Sequence, residues 1–211
     1  MQLTNEWYYF TSAIDKITCN RIIELGGEFL DKVQVDIHKG DTTEEERRTG
    51  IKKSAGSDTN ERVSDIKWLN EKWVYDLIVP YMETANNNAG WHFDIKSAET
   101  PQLTKYKKGS FYNWHTDGGA DHLSIYNSSK GEFLNGYARK LSMSILLNKD
   151  FSGGKFQFVN VYNGKKLIQT PELKETGSVI VFPSFMEHRV APVTKGTRYS
   201  LVTWFLGPPF K

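Results

Sequence analysis

The segment Tyr106 to Asp117 reads Tyr-Lys-Lys-Gly-Ser-Phe-Tyr-Asn-Trp-His-Thr-Asp and ends in a histidine and an aspartate two positions apart. On an extended strand, residues i and i+2 share a face, so this spacing predicts that His115 and Asp117 present an imidazole nitrogen and a carboxylate oxygen to one point. Two such donors are two of the three in the 2-His-1-carboxylate set that holds non-haem Fe(II) with open coordination positions. The third donor has to come from another part of the chain. The other histidines are His38, His92, His122 and His188. His38 and His122 lie in polar stretches, and His92 alternates with apolar neighbours in an expected strand; a surface or hydrogen-bonded role accounts for each. His188 has more context. Phe182-Pro183-Ser184 closes one apolar run with a turn, and His188-Arg189-Val190 opens another that leads to Arg198. A guanidinium on a neighbouring strand suits a bidentate carboxylate contact, which a lysine makes only as a point charge. The set reads as a metal together with a carboxylate-bearing cosubstrate.

The elements that must position these residues follow from periodicity. Asp15 or Thr18 is a candidate cap for an amphipathic helix near 18–33, in which Gly26-Gly27 marks close packing against a sheet. Residues 35–61 are polar and glycine-containing and are expected to be a long loop. Ser64-Asp65 introduces a short helical turn and then a longer helix near 71–87, which Pro80 is expected to kink or split. From Trp91 the period becomes strand-like, with runs at 91–95, 102–106, 112–116, 141–147, 155–159, 166–170, 178–182, 188–190 and 199–205. Strands at this density predict an α+β, mainly β chain: a jelly-roll (double-stranded β-helix) core with the N-terminal helices packed outside. In such a core a ligand far along the chain can meet the His115–Asp117 pair. The loop 118–138 follows the metal strand directly and is expected to form a rim or lid.

Bulk composition sets limits. At 211 residues a single domain is expected, with 1–90 as a helical support region and 91–206 as the jelly-roll catalytic core. The net charge is +2, from 27 basic and 25 acidic residues, which gives no case for a nucleic-acid partner. Cys19 is the sole cysteine, so an intrachain disulfide and a thiolate zinc cluster are excluded. No signal-like N-terminus and no run of ~18 apolar residues is present, and a cytoplasmic protein without a membrane partner is expected. No feature specifies an oligomeric state.

The region from about Gln102 to Trp204 resembles the Fe(II)/2-oxoglutarate-dependent oxygenases, in particular the prolyl 4-hydroxylase-like branch with its PKHD-type hydroxylases. The resemblance rests on Tyr106-x-x-Gly109-x-x-Tyr112-x-x-His115-x-Asp117, on Arg139-x-x-Ser142 leading into Leu146-Leu147-Asn148, and on Phe151-Ser-Gly153-Gly154. It continues with Gly177, Phe182-Pro183, His188, Val190, Pro192-Val193, Gly196, Arg198 and Trp204. Upstream, Arg62-x-Ser64 with Trp68, and Ala85-Asn86 followed by Trp91, resemble the helical portion that precedes the barrel in this branch. The resemblance implies that His115, Asp117 and His188 hold Fe(II) and that Arg198 pairs with the far carboxylate of 2-oxoglutarate. Tyr106 matches a tyrosine that hydrogen-bonds the cosubstrate in relatives, and a plain core aromatic at the barrel mouth is the other reading. Ser200 adds a hydroxyl beside Arg198 or is structural. Leu146 departs from the pattern, because some relatives carry a tyrosine there that helps to bind 2-oxoglutarate. Asn113-Trp114 lines the substrate mouth or packs outside.

The activity so implied is oxidative decarboxylation of 2-oxoglutarate by O2, with ascorbate as reductant, coupled to hydroxylation of a C–H bond. A proline in a peptide or protein is the expected substrate. A free amino acid, another protein side chain or a nucleic-acid base is the alternative for the same chemistry. A non-catalytic jelly-roll module whose histidines are structural is the reading from a different class.

Overall fold

The computed structural model describes residues 5–27, 62–118, 125, 134–162 and 164–210. The expected loop at 35–61, with His38, lies outside these residues, as does most of the one at 118–138, with His122. In chain order the elements are β1 (Tyr8–Phe10), α1 (Lys16–Gly26), β2 (Arg62–Val63), β3 (Asp65–Trp68), α2 (Lys72–Asn88), β4 (Ser97–Ala98), β5 (Gln102–Tyr106), β6 (Phe111–His115) and β7 (Ala138–Leu146). They continue with β8 (Phe151–Gly153), β9 (Phe156–Tyr162), β10 (Lys165–Gln169), β11 (Val179–Pro183), β12 (His188–Val190), β13 (Val193–Gly196) and β14 (Arg198–Gly207). Two antiparallel sheets face each other, in the orders β1-β11-β7-β14-β5-β3, with β4 beside β14, and β10-β9-β12-β6-β2. The expected mainly β jelly roll is the observed architecture.

Alternation along the central strands builds two cores from one sheet. Val179 and Val181 of β11, with Leu141, Met143 and Ile145 of β7, point outward to α1 and α2, where Cys19, Ile22, Val74, Ile78, Met82 and Ala85 cover them. Ile180 and Phe182 point inward and join Phe156, Phe158, Val190, Val193 and Tyr106 between the sheets. At ~25 cal/mol per Å² of apolar surface removed from water, this two-sided burial is the main stabilising contribution of β7 and β11.

The helices differ from their expected bounds for local reasons. Asp15 caps α1 by accepting the Thr18 amide at 2.9 Å, and Gly27, at φ 45°, ends the helix well before residue 33. Pro80 neither ends nor splits α2, which runs unbroken through it. The expected strand at 91–95 is not one, because the end of α2 consumes its backbone. Asn86 O accepts the Trp91 and His92 amides at 3.2 Å. The Asn86 side chain pairs with both the amide and the carbonyl of Phe93, each at 2.9 Å. The turn of helix expected after Ser64 is strand β3, paired with β5 from Asp65↔Lys105 to Trp68↔Gln102. With β1 and β2 it makes the first 90 residues a source of sheet edges as well as of helices.

Candidate metal and cosubstrate site

β6 and β12 lie side by side with His115 and His188 directly opposite each other. The His115 Nδ1 lies 2.7 Å from the Asn113 carbonyl and the His188 Nδ1 lies 2.9 Å from the Met186 carbonyl. A carbonyl only accepts, so each Nδ1 carries the proton and donates it, and each Nε2 keeps a free lone pair. Both Nε2 atoms turn to Asp117, at 3.7 Å from Oδ1 and 3.5 Å from Oδ2. The ligand-type atoms of the three residues lie within 4.8 Å of one another. Donors that each sit about 2.1 Å from a divalent metal are about 3.0 to 4.2 Å apart, and the two imidazole–carboxylate separations fall in that range.

Asp117 reaches this point by a different route from the one the spacing predicts. β6 stops at His115, and Asp117 sits beyond it in a bend. Its amide donates to the Ser184 carbonyl at 3.0 Å, and its own carbonyl accepts from Arg139 Nη1 at 2.8 Å. Arg139 is fixed in turn by Glu99, 2.7 Å away, and by the Trp204 ring, 4.0 Å beneath its guanidinium.

Electrostatics favour metal-competent protonation states. Burial, reinforced by the facing His188, pushes the His115 imidazole down to about 3, so it is neutral near pH 7. For Asp117, burial acts to raise the carboxyl. The two imidazoles, Arg139 and the Ser142 hydroxyl outweigh it and hold the group below the ordinary carboxylate range. Among the described residues, the buried Oδ2 of Asp117 has no hydrogen-bond donor. An ionised, buried oxygen without a donor is costly unless a cation faces it, and the residues present fit Fe(II) in this respect.

Arg198 approaches from the other sheet: β14 pairs with β5 and β7, and not with the histidine strand, so the expected neighbouring strand belongs to the facing layer. It is 2% exposed. Among the described residues its Nε has no acceptor, and its Nη1 donates to Ser200 Oγ at 3.0 Å. Burial lowers its pKa from a value high enough that the guanidinium stays charged at neutral pH. Tyr106 faces it across the β5–β14 ladder, with the ring centroid 5.5 Å from the guanidinium carbon. Gly154, at φ 57°, leaves room for the arginine stem, since a Cβ there would lie 3.0 Å from Arg198 Cδ. Leu146 stands buried opposite Ser200 and offers no hydroxyl.

Of the sequence-derived site residues, the structure brings His115, Asp117 and His188 together, and separately gathers Arg198, Ser200 and Tyr106. Trp114 faces away from His115, under the Arg189 guanidinium at 4.5 Å. His92 is exposed, at φ 50°, outside the cluster. Three contributors were given no role by sequence reasoning. Arg62 is buried on β2, bonded to Ser64 and Gln102, with its guanidinium carbon 4.6 Å from the Tyr112 ring centroid. Tyr112 stacks on His115 at a centroid distance of 3.4 Å. The Glu99–Arg139 pair is the third. The Arg62-x-Ser64 and Arg139-x-x-Ser142 motifs were the available signals for two of these, whereas nothing marks Glu99.

A family model described as the 2OG-Fe(II) oxygenase superfamily matches residues 101–206. A PKHD-type hydroxylase of Xylella fastidiosa (strain M12) is 29% identical over 106 residues, covering 49% of this chain and 43% of that protein. One from Stenotrophomonas maltophilia (strain K279a) is 29% identical over 106 residues, covering 49% and 41%. The chain thus matches less than half the length of these curated relatives. Among solved structures, the viral collagen prolyl hydroxylase of Paramecium Bursaria Chlorella virus-1, in complex with 2OG, superposes with a TM-score of 0.60 at 16% identity, over 96% of this chain and 97% of that one. A prolyl-4-hydroxylase of Pseudomonas putida gives a TM-score of 0.57 at 18% identity, over 96% and 92%. A Trichoplax adhaerens prolyl hydroxylase, in complex with a hypoxia inducible factor oxygen degradation domain peptide fragment, gives 0.58 at 14% identity, over 96% and 84%. These structures share the fold, and the matched residues take in His115, Asp117, His188 and Arg198. The chain belongs to the 2OG-Fe(II) oxygenase superfamily.

Proposed function

We propose that this chain is an Fe(II)- and 2-oxoglutarate-dependent dioxygenase that hydroxylates a proline in a peptide or protein. The observation that carries the metal assignment is the Asp117 carboxylate set between two imidazoles, Oδ1 facing His115 Nε2 and the buried Oδ2, which has no donor among the described residues, facing His188 Nε2. His115, Asp117 and His188 would hold the iron. When bound, Fe(II) with 2-oxoglutarate and O2 supplies the oxidative decarboxylation that is coupled to insertion of one oxygen atom into a C–H bond.

The chain's own residues prepare that chemistry. The Asn113 and Met186 carbonyls hold the ring protons on Nδ1, which keeps both Nε2 lone pairs aimed at the metal. Arg198 provides the cation for the far carboxylate of 2-oxoglutarate, with Ser200 fixing the rotation of its fork and Tyr106 walling the same pocket. Phe156, Phe158 and Phe182 surround the His188 ring, with centroids 5.5, 6.2 and 4.7 Å away, and exclude water from that side.

A peptidyl substrate is supported by the prolyl hydroxylases that share this fold, one of them holding a peptide fragment. One oxygenase domain over 1–211 is part of the reading, since β1, β2 and β3 are hydrogen-bonded into the sheets formed by 91–206. A cytoplasmic location is supported by Cys19, a buried free thiol; among the described residues no helix is long and apolar enough to cross a membrane. Ascorbate would serve as reductant.

The test is incubation with Fe(II), 2-oxoglutarate, ascorbate and proline-rich peptides, with free proline as a parallel arm. The expected result is peptide-dependent succinate and one added oxygen on a prolyl residue, read by mass spectrometry. Succinate at the peptide-free level with no oxidised peptide contradicts the prolyl substrate, and turnover of free proline alone moves the assignment to a free amino acid.

A further inference from the structure

Asp117, whose Oδ2 has no donor among the described residues, and His188, which faces that oxygen, are both referenced to one short turn. Between β11 and β12, the Ser184 carbonyl accepts from the amides of Asp117 at 3.0 Å and Gly118 at 3.4 Å, and the Met186 carbonyl holds His188 Nδ1 at 2.9 Å. The Ser184 amide donates to the Lys140 carbonyl at 3.0 Å, and its hydroxyl meets Ser142 at 2.9 Å. A displacement of this turn therefore moves Asp117 and His188, while His115 stays with Asn113.

Phe210 packs on the turn through Phe185. Phe185, inside the turn, packs against both core clusters, and its ring lies edge-on to Phe210 at 6.0 Å. Phe210 is itself seated on Phe93 at 5.2 Å and over Lys140 Nζ, 3.3 Å from the ring centroid. Lys140 is 3% exposed, and its charge is met by the Phe210 ring face and by the Asp94 carboxylate. The chain arrives there on a fixed path. At Gly207 a Cβ would lie 1.8 Å from the Asp94 carbonyl, so β14 exits directly on the 94–95 backbone, and Pro208-Pro209 restrict the next two φ angles.

We propose that Phe210 is a positioning residue for the metal centre, acting through Phe185 and the 184–187 turn on Asp117 and His188. This rests on the reading of those residues as iron ligands. The test is an anaerobic titration with Fe(II) at saturating 2-oxoglutarate, followed by the charge-transfer absorption, on the wild-type chain, Phe210→Ala, Phe210→Tyr and Ile23→Ala. The thermal midpoint of each metal-free protein is measured alongside. Ile23 packs on the same outer core from α1 and reports general loss of packing. Phe210→Ala is expected to bind Fe(II) on the order of tenfold more weakly, as loss of support behind metal ligands does elsewhere. Phe210→Tyr restores binding, and Ile23→Ala leaves it unchanged at a comparable thermal midpoint. If Phe210→Ala fails to fold, Phe210→Leu carries the same comparison. Equal affinity in wild type and the Phe210 variants, or equal weakening in Ile23→Ala, overturns the proposal while leaving the metal site standing. Absence of the absorption in the wild-type chain overturns the metal reading and this proposal with it.

Discussion

Arg198 concentrates the electrostatic argument at the scale of single residues, because a 2% exposed cation whose Nε lacks an acceptor among the described residues is unfavourable unless an anion completes it. Arg198→Lys retains the charge and loses the fork. We expect it to weaken 2-oxoglutarate binding by about 10- to 100-fold, the equivalent of one charge-assisted hydrogen bond. Fe(II) affinity in the absence of cosubstrate should be preserved. Titration of 2-oxoglutarate into the iron-loaded protein measures this, and unchanged affinity would remove Arg198 from the cosubstrate pocket. The grouping of His115, Asp117, His188 and Arg198 was legible in the sequence through the His-x-Asp spacing and the ordered motif series, although Asp117 reaches the cluster from a bend beyond β6 and Arg198 from the facing sheet. Arg62, Glu99 and Arg139 were not given roles because theirs come from contacts across the sheets. Arg139 lies 40 positions from Glu99 and 22 from the Asp117 carbonyl it holds. No local pattern encodes such a pairing.

Secondary-structure elements were legible where hydrophobic period and burial agree. β5, β7, β9, β11, β12 and β14 stand close to their expected positions, since each presents apolar residues to at least one core. The misread segments are those whose backbone partners are decided by tertiary contacts. Asn86 takes the amides and carbonyl that would have made 91–93 a strand, and β5 recruits 65–68 away from a helical turn. Gly177 shows how tightly such joins are built. Its carbonyl accepts the Ala13 and Ile14 amides at 3.0 and 3.1 Å, its φ is 78°, and a Cβ would lie 1.8 Å from the Ile14 carbonyl. Gly177→Ala therefore combines left-handed strain with a backbone clash and is expected to cost more than about 2 kcal/mol. The shift should appear in the denaturant midpoint at unchanged m-value, and a loss within ~0.5 kcal/mol would show that the β1–α1 connection yields easily.

For the whole molecule, two sheets bring residues 115–117, 188 and 198 to the two sides of one interior, and the support comes from Arg62 and Arg139, which lie in the motif series, and from Glu99, which does not. The jelly roll followed from the density of strands and turns after residue 90, whereas the closure of both sheets by β1, β2 and β3 did not, because three short strands carry little periodic signal. The most direct test of the metal and cosubstrate assignment is the anaerobic absorption spectrum with Fe(II) and 2-oxoglutarate, compared between the wild-type chain and folded His115→Ala and Asp117→Ala. The account predicts a metal-to-ligand charge-transfer band in the wild type that disappears in both variants. A wild-type chain without the band, or a band that survives in either variant, would contradict it.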